Sequence, residues 1–297
     1  MRLFDKPFRW AIVFGLTLAV FSAFVLLDAF VIPRVGTAVI PAAAADADPS
    51  VAGDTADAVI TATSYTDENV SITIDTVYVY DTMVYVADIR VSDASYLKTA
   101  LAKGLYGRNI KETTSDMAED NEAIFAVNGD YYGFRDDGYV IRNGVLYRAV
   151  SGGNEDLVID SEGNFTIIDE SEVSAQALLS AGAWQVLSFG PALVNGGEIT
   201  VSADSEVDKS ASSNPRTAIG QVSALHYIVI VSDGRSDESE GLSLLELAEL
   251  FENYGCAVAY NLDGGGSATM WFNGEVVNVP TNGRSYGERK VSDIVYF

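Results

Sequence analysis

Two kinds of hydrophobic pattern divide the chain. From Trp10 to Leu27 no charged residue occurs; Asp28 interrupts, and Ala29 to Ile32 resume the apolar run before Pro33 and Arg34. A run of about 18 apolar residues suffices to cross a bilayer as a helix and exceeds the usual core of a signal peptide. From Val70 the pattern becomes alternation. Val70 to Tyr80 and Val84 to Val91 alternate β-branched and polar positions across Asp81-Thr82, which predicts a hairpin of half-buried strands. Gly138 to Ile141 and Val145 to Arg148 flank Arg142-Asn143-Gly144, and Leu157 to Ile159 and Phe165 to Ile168 flank Gly163-Asn164, two further hairpins with Asn/Gly turns.

Helical spacing is rarer. Ser92 is placed to cap a short helix carrying Tyr96, Leu97, Ala100 and Leu101 and ended by Gly104; a second helix is expected from Glu172 to Ser180, stopped by Gly182. The clearest helix spans Ser243 to Tyr254, with Ser243 and Glu246 as a capping box, a Leu244/Leu247/Leu250/Phe251 stripe and Gly255 as the stop. Strand follows strand with few, irregularly placed helices. The class expected is α+β: a large mixed sheet with a few packed helices, preceded by a single transmembrane helix.

Arg2, Lys6 and Arg9 precede the apolar run, which places the N-terminus in the cytoplasm and the rest of the chain outside. The competing reading is a cleaved signal peptide, for which Ala42 to Ala45 offer small residues. An uncleaved anchor is favoured because no small-x-small site sits at the natural distance from the core. Residues 41–57 turn to Ala, Asp, Pro, Gly and Ser without periodicity. The expected organisation is a cytoplasmic end and anchor over 1–34, a flexible linker over 35–60, and one exported domain over 61–297.

Charge and composition narrow the partners. The formal net charge of -24 argues against nucleic acid. A single cysteine, Cys256, excludes an intramolecular disulfide and reads as a buried structural thiol; a single histidine, His226, excludes histidine-rich metal sites. No cofactor is required by these residues. A divalent cation stays compatible with so acidic an exported chain, although no calcium-loop spacing occurs. Oligomeric state is left open.

The chemistry gathers where apolar runs meet glycine. Ala257 to Tyr260 lead into Asn261-Leu262-Asp263-Gly264-Gly265-Gly266-Ser267-Ala268-Thr269: one carboxylate, three glycines and two hydroxyls. Three glycines let backbone approach a ligand without Cβ atoms in the way, and amides, hydroxyls and a carboxylate together suit a phosphate or a sugar; the plain alternative is a surface turn. Similar segments precede it: Asn128-Gly129-Asp130-Tyr131-Tyr132-Gly133, Phe189 to Asn195, Asn214-Pro215-Arg216 to Gly220, and Ser232-Asp233-Gly234-Arg235. In this order the five segments resemble the phosphodiester glycosidase family, over roughly Ala123 to Phe297 and more weakly from about Val70. Many bacterial members of that family are linked to exopolysaccharides.

The resemblance implies hydrolysis of a glycosyl-1-phosphodiester, with a glycosyl-phosphate or polysaccharide substrate at the cell surface. Such a reaction needs a carboxylate near the anomeric carbon to support oxocarbenium charge, and a cation for the phosphate, where arginine's planar fork fits best. Position beside glycine ranks Asp263 first as that carboxylate, then Asp130, then Asp233. Arg216, at the head of an apolar strand, is the first cationic candidate, its plain role being a structural ion pair; Arg235 and Arg289 follow. Asn128 and Asn261 either reach sugar hydroxyls or cap turns, while Gly264, Gly265, Gly266, Ser267 and Thr269 form the loop. Tyr131 and Tyr132 are read as core or rim aromatics or as a stacking platform for sugar. A surface carbohydrate-binding or exopolysaccharide-assembly protein without catalysis is the alternative.

Overall fold

The computed structural model describes residues 8–40, 58–205, 213–283 and 285–297. Arg2 and Lys6 of the basic flank, the Ala42 to Ala45 candidate cleavage site and the linker from 41 to 57 lie outside the described residues. Helix α1, Arg9–Phe30, is the apolar run; none of its residues is buried, and its mean hydropathy of 2.4 qualifies it as a candidate membrane span. The linker expected from residue 35 begins instead as docked chain. Arg34–Val35 pairs antiparallel with Gly107–Arg108, and the Ile40 and Leu146 main chains exchange hydrogen bonds of 3.0 and 3.1 Å.

Strands build three large sheets, and every described pairing is antiparallel. Nine strands form the largest, in the order Glu198–Ile199, Ala192–Asn195, Val258–Asn261, Thr217–Ser223, His226–Ser232, Thr82–Val91, Val70–Val79, Ser64–Thr66, Val59–Ile60. A five-stranded sheet orders Glu275–Val276, Met270–Phe272, Phe125–Asn128, Asp293–Tyr296 and Lys98–Leu101. The other runs Val145–Arg148, Val140–Arg142, Ala183–Leu187, Glu155–Asp160, Phe165–Asp169. The three anticipated hairpins form, the Asn143-Gly144 turn with both residues at positive φ.

Alternation along the strands explains how the sheets pack. In Thr82–Val91, Tyr85, Ala87 and Ile89 face a central core shared with Phe125, Val127, Leu157 and Ile159 of the other two sheets, whereas Val84 and Val86 face the opposite side. On that side lies α4, Leu244–Asn253, with Leu247, Ala248 and Phe251 against the sheet. Its capping box is complete: Ser243 Oγ accepts from the Glu246 amide at 3.2 Å, and the Ser243 amide donates to Glu246 Oε2 at 2.8 Å. Gly220 permits the close approach, because a Cβ there would lie 2.7 Å from the Phe251 ring. Helices α2, Thr114–Asp120, and α3, Ala175–Ser180, cover the outer faces of the two smaller sheets in the same way.

Two local expectations change. The helix expected after Ser92 is a 3₁₀ turn, Ala94–Tyr96, followed by the strand Lys98–Leu101, because the last strand of the chain offers that segment a full ladder from Asp293 to Tyr296. Helix α2, capped by Thr113, has too short an apolar stripe to read from spacing. Cys256 is a buried free thiol whose pKa burial raises to about 12, as fits a packing role, and His226 Nε2 lies 3.0 Å from Asp88 at a sheet margin.

Leu247 is fully buried between α4 and the sheet. Leu247→Ala is expected to cost about 2–5 kcal/mol of unfolding free energy through the cavity it leaves, measured by urea denaturation.

Candidate functional site

Two sheets supply the site. Asn214, Asp233 and Asp263 lie at the same end of the nine-stranded sheet, since Thr217 pairs with Val231 and Ala218 with Asn261. Asn128 ends a strand of the smaller sheet and joins the two. Its Nδ2 donates to the Asp263 carbonyl at 2.6 Å, and its Oδ1 accepts from Thr217 Oγ1 at 2.8 Å and from the Thr269 amide at 3.2 Å. The Asp263 amide in turn donates to the Gly129 carbonyl at 3.2 Å. Asn261 is equally buried and donates to the Gly190 carbonyl at 2.8 Å. Both asparagines therefore hold backbone, while Asn261 Oδ1 is buried without a partner among the described residues.

A cavity of about 280 Å³ opens between these segments, lined by Asp130, Asp263, Ser267 and Arg289 together with Lys111, Tyr131, Phe134, Lys290, Val291 and Ser292. Asp263 is half-buried, and burial pushes its pKa up to about 6, against the pull of Ser267 and Arg289. The Ser267 hydroxyl is buried at this cavity beside Asp263, and the Ser292 hydroxyl is buried there without a hydrogen-bond partner among the described residues. Tyr131 stacks on Phe134, ring centroids 4.8 Å apart, at the rim; Tyr132 is core, packed over Arg142.

The glycine loop brings cations in. A Cβ on Gly265 would lie 2.8 Å from the Arg235 guanidinium, and one on Gly266 2.6 Å from that of Arg289. Among the described residues neither arginine has a carboxylate within salt-bridge distance: Arg235 donates to Asn214 Oδ1 at 2.8 Å and Arg289 to Asn282 Oδ1 at 3.3 Å. Burial and then the neighbouring Arg289 lower the Arg235 pKa, as expected of two cations placed side by side. Unneutralised guanidinium groups beside open backbone form a place for an anion.

Asp130 belongs to a buried ion cluster. Arg142 donates from Nη2 to Asp130 Oδ2 at 2.7 Å and from Nε to Asp293 Oδ2 at 2.9 Å. Asp130 also accepts from the Ser188 and Tyr132 amides at 3.0 and 2.9 Å. Burial works to raise its pKa, but Arg142 and these amides outweigh it and leave Asp130 below the ordinary carboxylate range. Asp293 lacks such support, and burial raises its pKa to about 8 against the opposing pull of Arg142.

The remaining candidates lie apart. Arg216 shares the face of Ala218, toward α4, and its Nε donates to the Leu242 carbonyl at 2.9 Å, while Thr217 faces Asn128; alternation along one strand separates them, and Arg216 does not line the cavity. Asp233 does not line it either: it accepts from Tyr85 Oη at 3.0 Å and from the Val279 amide at 2.8 Å, and burial raises its pKa. Gly264 lies against the Pro215 carbonyl, and Thr269 is fully buried. Lys111, Lys290, Ser292, Arg142 and Asp293 were not singled out from sequence. Asp293 had a readable signal, since in the final strand it falls on the inward face with Val295 and Phe297; Arg142, the last residue of a short hairpin strand, had none.

Residues 121–297 match the family model described as phosphodiester glycosidase. The chain belongs to the phosphodiester glycosidase family. It is 33% identical over 191 residues to the SPbeta prophage-derived protein YomE of Bacillus subtilis, covering 60% of this chain and 29% of that protein. It is 27% identical over 197 residues to human N-acetylglucosamine-1-phosphodiester alpha-N-acetylglucosaminidase, covering 64% of this chain and 34% of the human one. The chain thus spans about a third of the length of these relatives. The zebrafish N-acetylglucosamine-1-phosphodiester alpha-N-acetylglucosaminidase catalytic domain, solved auto-inhibited by its pro-peptide, shares the fold with a TM-score of 0.60 at 22% identity, covering 76% of this chain and 82% of that one.

Removing the central cation of the buried cluster strands two carboxylates. Arg142→Met is expected to destabilise the fold by about 3–5 kcal/mol in chemical denaturation.

Proposed function

We propose that this phosphodiester glycosidase-family chain hydrolyses a glycosyl-1-phosphodiester bond in an extracytoplasmic glycan or glycopolymer, at the cavity between Asp130 and Arg289. One observation carries the reading: Asp263, a half-buried carboxylate, shares a cavity with Arg289, a guanidinium that no described carboxylate neutralises. Asp263 is assigned to support positive charge at the anomeric carbon as the bond to the phosphate oxygen breaks. Arg289 and Arg235, with Lys111 and Lys290 at the rim, are assigned to the phosphate. A phosphodiester leaves as a stable anion, so the site needs a cation more than a strong acid. Ser292, buried and without a hydrogen-bond partner among the described residues, and Ser267, beside Asp263, supply hydroxyls for substrate oxygens. Asp130, saturated by Arg142 and two amides, positions the loop, and Asp233 and Arg216 serve the scaffold.

We assign residues 61–297 to this catalytic domain and α1 to a single-pass anchor, with the N-terminus cytoplasmic and the domain outside. The assignment rests on the exposed apolar surface of α1. Alkaline extraction of membranes should leave the full chain in the pellet; release into the supernatant, or a mature chain beginning beyond Ala42, would identify a peripheral or processed protein.

Release of sugar from a glycosyl-1-phosphodiester by the purified protein tests the activity. Asp263→Asn keeps the shape but removes the charge, and is expected to lower kcat by several kcal/mol of transition-state free energy, on the order of 10³-fold, with substrate still bound. Because the carboxylate form is the working one and its pKa is about 6, kcat is expected to fall as pH drops below about 6. Near-normal turnover in Asp263→Asn would remove Asp263 from its role. Arg289→Lys should weaken binding and turnover together, because it keeps the charge and loses the fork.

A further inference from the structure

A second cavity, of about 230 Å³, lies on the far side of the 130–136 loop from the proposed catalytic one. Four arginines line it: Arg34, Arg108, Arg135 and Arg148. Tyr106 forms its wall, sandwiched between Tyr132 and Tyr147 with ring centroids 5.4 and 4.9 Å away. In a chain of net charge -24, four guanidinium groups facing one lining carboxylate, Asp136, leave this small cavity locally positive even with Arg34 paired to Asp28.

The cavity is tied to the end of α1. Asn109 Nδ2 lies within hydrogen-bond distance of the Asp28, Ala29 and Ile32 carbonyls, 3.4, 3.2 and 3.1 Å away, and Arg34 pairs with Asp28. The strand Arg34–Val35 then closes one side of the cavity against Gly107–Arg108. Two glycines make this crossing fit: a Cβ on Gly36 would lie 2.7 Å from the Tyr106 ring, and one on Gly107 would collide with the Arg34 carbonyl. The arginines keep donors in hand. Arg108 uses Nη1 for both oxygens of Asp136, at 2.8 and 2.9 Å, and Arg135 uses Nη1 for the Ser188 carbonyl at 3.1 Å; their other nitrogens have no hydrogen-bond acceptor among the described residues. Arg148 is spent on the carbonyls of Gly138, Tyr132 and Arg135 and serves as a fixed positive wall.

From this geometry we infer that the cavity at the foot of α1 binds the phosphate of an anionic phospholipid headgroup. The inference rests on α1 lying in a bilayer, not on the hydrolytic reading. With Phe30 at the helix end, Arg34 and Tyr106 fall at headgroup level, where arginine and tyrosine are favoured. An acidic domain is repelled by an anionic leaflet, and a basic cavity at the point of attachment offsets that repulsion where the two must touch. Holding the headgroup there fixes the orientation of the 130–136 loop, and with it the catalytic cavity, relative to the membrane.

The test uses the full chain in nonionic detergent micelles doped with dioleoyl phosphatidylglycerol or dioleoyl phosphatidylcholine, with sn-glycerol 1-phosphate as the soluble arm. Retained ligand is counted by native mass spectrometry. Phosphatidylglycerol should be retained over phosphatidylcholine, and Arg34→Gln/Arg108→Gln should weaken that retention about thirtyfold, roughly five- to sixfold for each cation lost. Asp136→Asn, at an exposed position, releases Arg108 and should tighten phosphatidylglycerol binding, which keeps the test decisive if the double variant misfolds. Equal retention of the two lipids, a double variant that folds and binds undiminished, an Asp136→Asn variant with no gain, or glycerol phosphate bound as tightly as the lipid would each overturn the assignment. Loss of the chain from alkali-washed membranes would instead overturn the anchor.

Discussion

One guanidinium holds the centre of this molecule together. Arg142 comes from a hairpin of one small sheet, Asp293 from the last strand of the other, and Asp130 from the turn that leaves that same sheet. With all three groups buried, the price of desolvating them is large, and a buried ion pair by itself is weak evidence for stability. Its consequence is positional. Asp130 accepts from Ser188, so the ion cluster also fixes the loop before Pro191; that loop in turn anchors Asn261 through the Gly190 carbonyl. From one cation, hydrogen bonds run to the Asp130 turn and the Asp293 strand and, through Ser188 and the Gly190 carbonyl, toward the Asp263 loop.

Close backbone packing does the rest. Gly129 leaves room for the Asp293 carboxylate, Gly264 lies on the Pro215 carbonyl, and Gly265 and Gly266 leave room for Arg235 and Arg289. In each case the space a Cβ would fill is taken by a polar or charged group. The glycines thus decide where charge can stand, and only Gly265 of these four needs them for a positive φ as well. Asp263 sits between the two arrangements: an amide tied to Gly129 on one side, cations along the loop on the other.

What the sequence revealed follows from range. Elements set by neighbours in the chain were legible: the Asn143-Gly144 hairpin, the capping box at Ser243, the apolar helix from Arg9. So was the convergence of the Asn128 and Asp263 segments, because Gly and Asn at strand ends mark turns. Elements set by distant partners were not. Lys98–Leu101 carries residues that suit a helix but pairs with the end of the chain, nearly two hundred residues away, and no local pattern announces that. Arg216 and Arg289 illustrate the same limit for chemistry. Arg216 lies at a motif, yet its Nε donates to the Leu242 carbonyl and it does not line the cavity; Arg289 lies outside every motif and reaches Gly266 through tertiary folding.

The global charge raises an apparent conflict, since a domain this acidic should repel an anionic substrate. Screening resolves it: at physiological ionic strength fields decay over about 8 Å, so what a phosphodiester meets at the cavity is set by the groups that line it. There the carboxylates are disarmed in different ways. Asp130 is neutralised by Arg142 and Asp263 has its pKa raised toward the physiological range, while Asp293, behind the lining, is pushed toward its protonated form. The cations are not: Arg289 in the cavity lining and Arg235 beside Gly265 have amide oxygens for partners, which orient a guanidinium without cancelling its charge. A site with the proposed task of stabilising a cationic sugar and an anionic phosphate within one bond's length needs such separation. Here it is achieved by burying the surplus negative charge with one arginine and leaving the positive charge along the glycine loop.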